Sequence, residues 1–251
     1  MRNQSFIAAL TVGSLGIATL AHADSFDCYE NCTVDLKTDP NCLQGVSYDY
    51  DFSTVDRGSD VTVMSFHGGN IELHTSTIAR TVADQNSWNW YNFAGHGRSS
   101  CLNGLSNFGR LHITAINFNE PTLHDLVGRY PNAVAIHGFS EDTYPRGTIC
   151  VGGRNAAQVQ AFIDSINANK SRFTRYSINA VNAATAPSGT TCSQWRGTAQ
   201  DNPVNRSSSG AGGLQLELNL DIRKDLVNVS SDYNALRDVF YGAIHAAMTT
   251  T

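Results

Sequence analysis

From residue 61 onward this 251-residue chain reads as an α/β protein, a sheet enclosed by helices within a single domain. Three observations carry that reading. Short apolar runs rich in β-branched and aromatic residues alternate with segments of helical period. The helical segments open on capping residues. Two of the apolar runs close on a His followed by Gly, at the strand end where an open α/β sheet places its functional loops.

The first strand covers 61–66 and delivers His67 into Gly68, Gly69, Asn70, Ile71 and Glu72. Thr75, Ser76 and Thr77 can cap a helix reaching about Asp84, and an aromatic strand follows over 87–93. Gly, Ser and Asn mark 94–109 as a loop that Cys101 can pin. Residues 111–118 alternate and read as a strand, Glu120 and Pro121 open a short helix to Tyr130, and 133–136 form a strand closing on His137 and Gly138. A short strand over 148–152 precedes a helix capped by Asn155, with Val159, Phe162, Ile163 and Ile166 as its apolar stripe. Residues 172–181 read as a strand, and 182–212 as a polar insertion of the length used for lids and binding loops. Leu214, Leu216, Leu218 and Leu220 then alternate with Gln215, Glu217, Asn219 and Asp221, a strand with one apolar and one polar face. A final helix over 231–248 carries Leu236, Val239, Phe240 and Ile244 on one stripe.

The N-terminus has Arg2, an apolar stretch over 6–20, and Ala21, His22 and Ala23 before Asp24, which is the pattern of a signal peptide over residues 1–23. The stretch is short and interrupted by Thr11, Gly13, Ser14 and Gly16, so a membrane anchor is not expected. Residues 24–58 are polar and Cys-rich, an irregular lead-in with at most an edge strand near 45–52, and 59–251 form the main domain. All six cysteines (Cys28, Cys32, Cys42, Cys101, Cys150 and Cys192) follow the signal segment. Disulfides in a secreted protein are the expectation, although the spacing of Cys28 and Cys32 also suits a thiolate metal site. Asn31, Asn169, Asn205 and Asn228 head glycosylation sequons that matter only if the host modifies them. The net charge of −5, with no Lys/Arg cluster, argues against a nucleic-acid partner.

Three strand ends thus offer two histidines and two carboxylates: His67 with Glu72, His137, and Glu217. A catalytic zinc site needs three protein ligands, an open position for water, and a carboxylate to take its proton. A lone strand-end His is more often structural, but the His-Gly ending occurs twice and Gly68 and Gly69 let Glu72 fold back toward His67. Glu72 could equally serve as a helix N-terminal acid, and Glu217 could lie on a solvated face. His112 is a reserve ligand or substrate contact, His74 a group able to orient Glu72, and His124 a surface residue. Arg154, after Gly152 and Gly153, is placed to clamp a carboxylate or steady an oxyanion, or else to pair at the surface.

Five motifs occur in one order over about residues 60–248: Phe66 to Glu72 as above; Leu111, His112, Ile113 and Thr114 with Asn117 to Pro121; Ile136, His137 and Gly138; Val151, Gly152, Gly153 and Arg154; and Leu214 to Leu218. Together they resemble the poly-γ-glutamate hydrolases of bacteriophage and bacilli, related in fold to zinc carboxypeptidases. The resemblance implies a mixed, twisted sheet with helices on both faces and one Zn2+ ion held by His67, Glu72 and His137. It also implies Glu217 as general base. Carboxypeptidases proper separate their first His and Glu by two residues, whereas four intervene here, which favours the polyglutamate hydrolases.

The implied chemistry is hydrolysis of a γ-glutamyl amide, with an anionic polymer or a peptide as substrate and a secreted monomer as the form of the enzyme. A secreted carboxypeptidase or peptidoglycan amidase on the same scaffold is the rival enzyme reading. A non-catalytic secreted binding protein is the rival of another class.

Overall fold

The computed structural model describes residues 36–45, 48–139 and 144–250, so the signal segment, Asn31, Cys28 and Cys32 lie outside the described residues. Strands β1 (Tyr50–Val55), β2 (Val61–Gly69), β3 (Asn89–Gly95), β4 (Asn132–Phe139), β5 (Thr148–Gly152), β6 (Asn179–Asn182) and β7 (Leu214–Asn219) form one sheet in the order β1-β3-β2-β4-β7-β5-β6. It is mixed: β3, β2, β4 and β7 run parallel, β1 is antiparallel to β3, and β5, with β6 parallel to it, is antiparallel to β7. The α/β class and the single mixed sheet are therefore as expected.

Alternation along the central strands divides two cores. Val63, Ile136, Leu214, Leu216 and Leu218 face helices α1 (Thr75–Asn86), α5 (Ala156–Asn169), α6 (Leu220–Val227) and α7 (Asn234–Met248). Met64, Phe66, Tyr91, Phe93 and Ala135 face α4 (Pro121–Arg129) and the stretch bearing Leu111, Ile113 and Phe118. The helices begin where their sequences specify. Asn155 accepts from the Gln158 N–H at the start of α5, and Glu120 accepts from the Leu123 N–H ahead of Pro121 in α4.

One irregularity in the sheet determines where the site lies. Ser65 pairs with Asn92 but Gly68 pairs with Ala94, so β2 carries one more residue than β3 over this interval, a β-bulge. Strict alternation would put His67 on the same side as Val61 and Val63, against the helices. The bulge instead brings it to the side of Phe66 and Ile113. Ser65 Oγ and Ser76 Oγ each lie 2.7 Å from Asn92 Oδ1, and Ser76 Oγ accepts from the Gly69 N–H at 3.0 Å, so a buried polar network secures the bulge.

Elsewhere the structure corrects the sequence reading. Residues 111–118 are not a strand: short helices α2 (Ser99–Leu102) and α3 (Asn107–Leu111) precede an extended turn and a 3-10 turn over Ala115–Asn117. The alternation is real, with Leu111 and Ile113 buried, but the Ile113 carbonyl accepts from an imidazole rather than from a neighbouring strand. The strand expected over 172–181 shrinks to β6, and α6 begins at Leu220 under an Asn219 cap that the alternating leucines had obscured. The insertion at 182–212 is ordered by 3-10 turns and buried amides rather than by regular elements. Asn205 is buried and donates to the Gly197 and Ala199 carbonyls, which leaves its side chain no room for a glycan. Disulfides join Cys42 to Cys101, tying the lead-in to α2, and Cys150 to Cys192, tying the insertion to β5.

Candidate metal centre

Strands β2, β4 and β7 are parallel neighbours, so their C-terminal ends share one edge of the sheet. Register sets His137 opposite Glu217, and the β2 bulge turns His67 toward them. Glu72 returns to the same point through a tight turn in which Gly69 adopts φ 67°, the Asn70 N–H donates to Gly95 O and the Glu72 N–H donates to His67 O. All four side chains are buried.

The donor atoms converge closely. His67 Nδ1 lies 2.9 Å from Glu72 Oε1 and 3.1 Å from His137 Nδ1, and His137 Nδ1 lies 3.5 Å from Glu72 Oε2. Donor atoms around a tetrahedral zinc stand about 3.3 Å apart, so these separations match the edges of such a site. The His67 tautomer also fits, because Nε2 lies 2.6 Å from Ile113 O and is its donor, leaving the Nδ1 lone pair directed inward. His137 Nε2 is buried with no hydrogen-bond partner among the described residues, so the polar contacts of that ring are those of Nδ1, beside its edge-on packing with Phe66. Two ring nitrogens directed at each other beside a carboxylate form a set that a cation stabilises and water alone does not.

His112 approaches the same point. One donor atom each from His67, Glu72 and His112 falls within 4.8 Å of the others, and the His112 ring lies 4.0 Å from the His67 ring. Its Nε2 is 3.9 Å from Glu72 Oε1, farther than His137 Nδ1 from that carboxylate, so His137 makes the tighter third donor. Burial pushes the His112 pKa down to about 3 and keeps the ring neutral.

The two carboxylates differ in state. Burial alone would raise Glu72, but His67 and His137 outweigh it and hold the carboxylate well below its ordinary range. Glu217 is pushed up to about 7, chiefly by burial and further by the Glu72 charge, with His137 opposing. A buried carboxylate poised near neutrality is suited to taking and returning a proton. Its Oε1 accepts from Gln215 Nε2 at 2.9 Å, and Gln215 Oε1 accepts from Asn202 Nδ2 at 2.7 Å. The insertion thus reaches the carboxylate through Asn202 and fixes which end of the Gln215 amide faces it. Because Gln215 donates to the charged form, Gln215→Leu should raise the Glu217 pKa; any pH-dependent activity should show its acid limb shifted to higher pH, read from kcat/KM profiles.

A cavity of about 750 Å³ opens over these groups. His67, Glu72, His112, His137 and Glu217 all line it, and Arg154 does not. The Arg154 backbone N–H donates to Asn205 Oδ1 and its Cβ packs at Gly212, so the arginine singled out from the sequence borders the insertion and not the cavity. The arginines of the wall are Arg196 and the buried Arg223. Arg223 donates to the carbonyls of Leu218, Leu73 and Phe139, joining the C-terminal ends of β7 and β4 to the turn that carries Glu72. No motif marks it, but a cationic residue one turn into a helix that starts at the sheet edge is the signal that could have done so.

Gly138 follows from the same packing. A Cβ there would stand 2.3 Å from the Arg223 Cζ, whose side chain is fixed by three carbonyls. Gly138→Ala should therefore cost about 1–3 kcal/mol and displace the Gly138 N–H that donates to Glu72 Oε2 at 2.8 Å, a loss measurable by thermal unfolding.

Comparison with known proteins bears on the family and the fold. A family model described as poly-gamma-glutamate hydrolase matches residues 42–244. Similar curated sequences include the UPF0714 protein YndL of Bacillus subtilis, 26% identical over 183 residues, covering 73% of this chain and 62% of that protein. Another is the SPbeta prophage-derived UPF0714 protein YoqZ of the same organism, 28% identical, covering 71% of this chain and 56% of that protein. The matched stretch thus spans less than two thirds of these relatives. Among solved structures, a bacteriophage poly-gamma-glutamate hydrolase superposes with a TM-score of 0.63 at 23% identity, over 79% of this chain and 89% of that one. A zinc-free apo form of YndL superposes with a TM-score of 0.61 at 24% identity, over 78% of this chain and 90% of that one. At these identities the superpositions establish the fold.

Proposed function

The chain belongs to the poly-gamma-glutamate hydrolase family, and from that premise we propose that it is a zinc-dependent hydrolase of γ-glutamyl amide bonds. The observation that carries this reading is the meeting of His67, Glu72 and His137 at the separations of a tetrahedral donor set, with Glu217 on the same cavity wall. Those three residues would hold the ion. Zinc bound there supplies Lewis acidity, lowering the pKa of water toward ~7 and polarising a carbonyl.

The remaining work falls to side chains of the chain itself. Glu217 takes the proton of the attacking water and returns it to the departing amine, a role suited to a carboxylate raised to about 7. Gln215 keeps the Glu217 Oε1 lone pairs oriented, and the Ile113 carbonyl keeps the His67 ring oriented. Arg223 lends positive charge beside Glu72 and Glu217. Trp195, stacked on Phe139 at 4.7 Å, walls the cavity and limits water.

The same reading takes the enzyme to be exported. Residues 1–23 read as a signal peptide, and the two disulfides are of the kind that persists in an oxidising compartment. No helix among the described residues is long and apolar enough to cross a membrane.

The direct test is elemental analysis of the purified protein coupled to amine release from poly-γ-glutamate, with and without chelator. About one zinc per chain with chelator-sensitive release supports the reading. Release that survives complete zinc removal overturns the metal assignment, and zinc without release overturns the substrate.

A further inference from the structure

The insertion builds one wall of the cavity as a braced ridge. Cys192 is bonded to Cys150 of β5, Trp195 stacks on Phe139, and the Gly153 N–H donates to Arg196 O at 2.8 Å. Asn205 Nδ2 donates to the Gly197 and Ala199 carbonyls. The backbone fits closely around Arg196. A Cβ on Gly152 would stand 2.5 Å from the Arg196 carbonyl oxygen, and one on Gly197 would stand 2.5 Å from Gln215 Oε1. On this fixed backbone the Arg196 side chain is exposed and lines the cavity beside Asn70, Thr114, Gln194 and Thr198, all polar and exposed.

Among the described residues, the guanidinium of every arginine except Arg154 and Arg196 meets a carboxylate or a carbonyl. Arg154 lies outside the cavity, and Arg223 within it is buried and bound to three carbonyls. Arg196 is thus the cation of the cavity that still has its donors to offer. The acids of the cavity, Glu72 and Glu217, are both buried, so no carboxylate of the chain competes for it at the exposed wall. A planar fork of donors on a braced backbone, flanked by neutral polar groups, is matched to a carboxylate. We propose that Arg196 is a specificity-determining residue of the site, holding the α-carboxylate of a γ-glutamyl unit that flanks the scissile amide. This rests on the hydrolase reading of the same site and names the residue that recognises the charge of its substrate.

The test uses three γ-linked glutamate oligomers of equal length. One keeps every α-carboxylate, and in each of the other two the α-carboxylate on one side of the scissile amide is replaced by a carboxamide, with the cleaved bond read by mass spectrometry. The expected result is a kcat/KM at least about tenfold lower on one of the carboxamide oligomers, chiefly through KM. Arg196→Gln, at an exposed position, should lose a similar factor on the all-carboxylate oligomer and should no longer discriminate between the three. Arg154→Gln makes the same change outside the cavity and should leave the discrimination as it is. Equal cleavage of all three oligomers by the wild type, or discrimination that survives Arg196→Gln, overturns the proposal.

The same oligomers are titrated calorimetrically against the Glu217→Gln protein, with and without Arg196→Gln. If no oligomer is cleaved, the hydrolase reading fails, and binding then decides the role of Arg196 by itself. Tighter binding of the all-carboxylate oligomer that Arg196→Gln removes sustains it, whereas equal binding of the three, or none, overturns it.

Discussion

Glu217→Gln is expected to lower kcat by about 10²–10⁴-fold while leaving the metal content and the fold intact. The size follows from the role, since a positioned base that also returns the proton contributes over that range. The fold survives because the amide is isosteric and its carbonyl oxygen can take the place of Oε1 as acceptor of the Gln215 Nε2 hydrogen bond, with Gln215 still held by Asn202. Stability should in fact improve at neutral pH. Glu217 in the folded protein is raised to about 7, above its unfolded value of 4.5. Between those values the native state retains a proton that the unfolded chain has released. Without metal, the contribution of Glu217 to stability should therefore be fully present below the unfolded pKa and be lost as pH rises through about 7. Removing the carboxylate should flatten that decline. Thermal melts of the metal-free wild type and variant at pH 5 and pH 8, beside a kcat profile, test both parts; undiminished kcat rules out the base assignment.

His67→Ala and His137→Ala are expected to abolish metal retention and, with it, activity. Each removes one of two imidazole nitrogens that stand 3.1 Å apart. The effect on stability should depend on the metal. At a thousandfold excess of free ion over its dissociation constant, binding stabilises the folded state by about 4 kcal/mol, and neither variant should gain that increment. His67→Ala carries a further penalty, because it leaves the Ile113 carbonyl without its donor. Melting temperature against added zinc, for wild type and both variants, is the measurement. A metal-dependent rise in both variants equal to that of wild type would remove them from the donor set.

The sequence made the site more legible than its surroundings. His67, Glu72, His137 and Glu217 were readable because each sits at or beside the end of a buried strand, where apolar pattern and glycines mark both the element and its exit. The polar face of β7 was ambiguous, since alternation says that one side differs without saying whether water or a cavity lies there; all six residues of β7 are buried. Arg154 does not line the cavity: proximity to a strand end does not fix which surface a residue joins, and the insertion it borders has no periodicity to read. The stretch at 111–118 misled for a related reason. Period-two burial records which side chains are covered, whereas strand identity depends on where the carbonyls go, and that of Ile113 goes to a histidine.

The bulge in β2 also has a bearing on time. Its extra residue exists only relative to β3, and His137 enters from β4, 70 positions further along the chain. Until both neighbours have docked, the His67 imidazole has no assigned side, and no short segment of the chain presents the paired ring nitrogens. Capture of an ion would thereby wait until β3 and β4 have both docked on β2. An unfolded chain carries the same histidines, yet lacks the arrangement that would let it compete for metal.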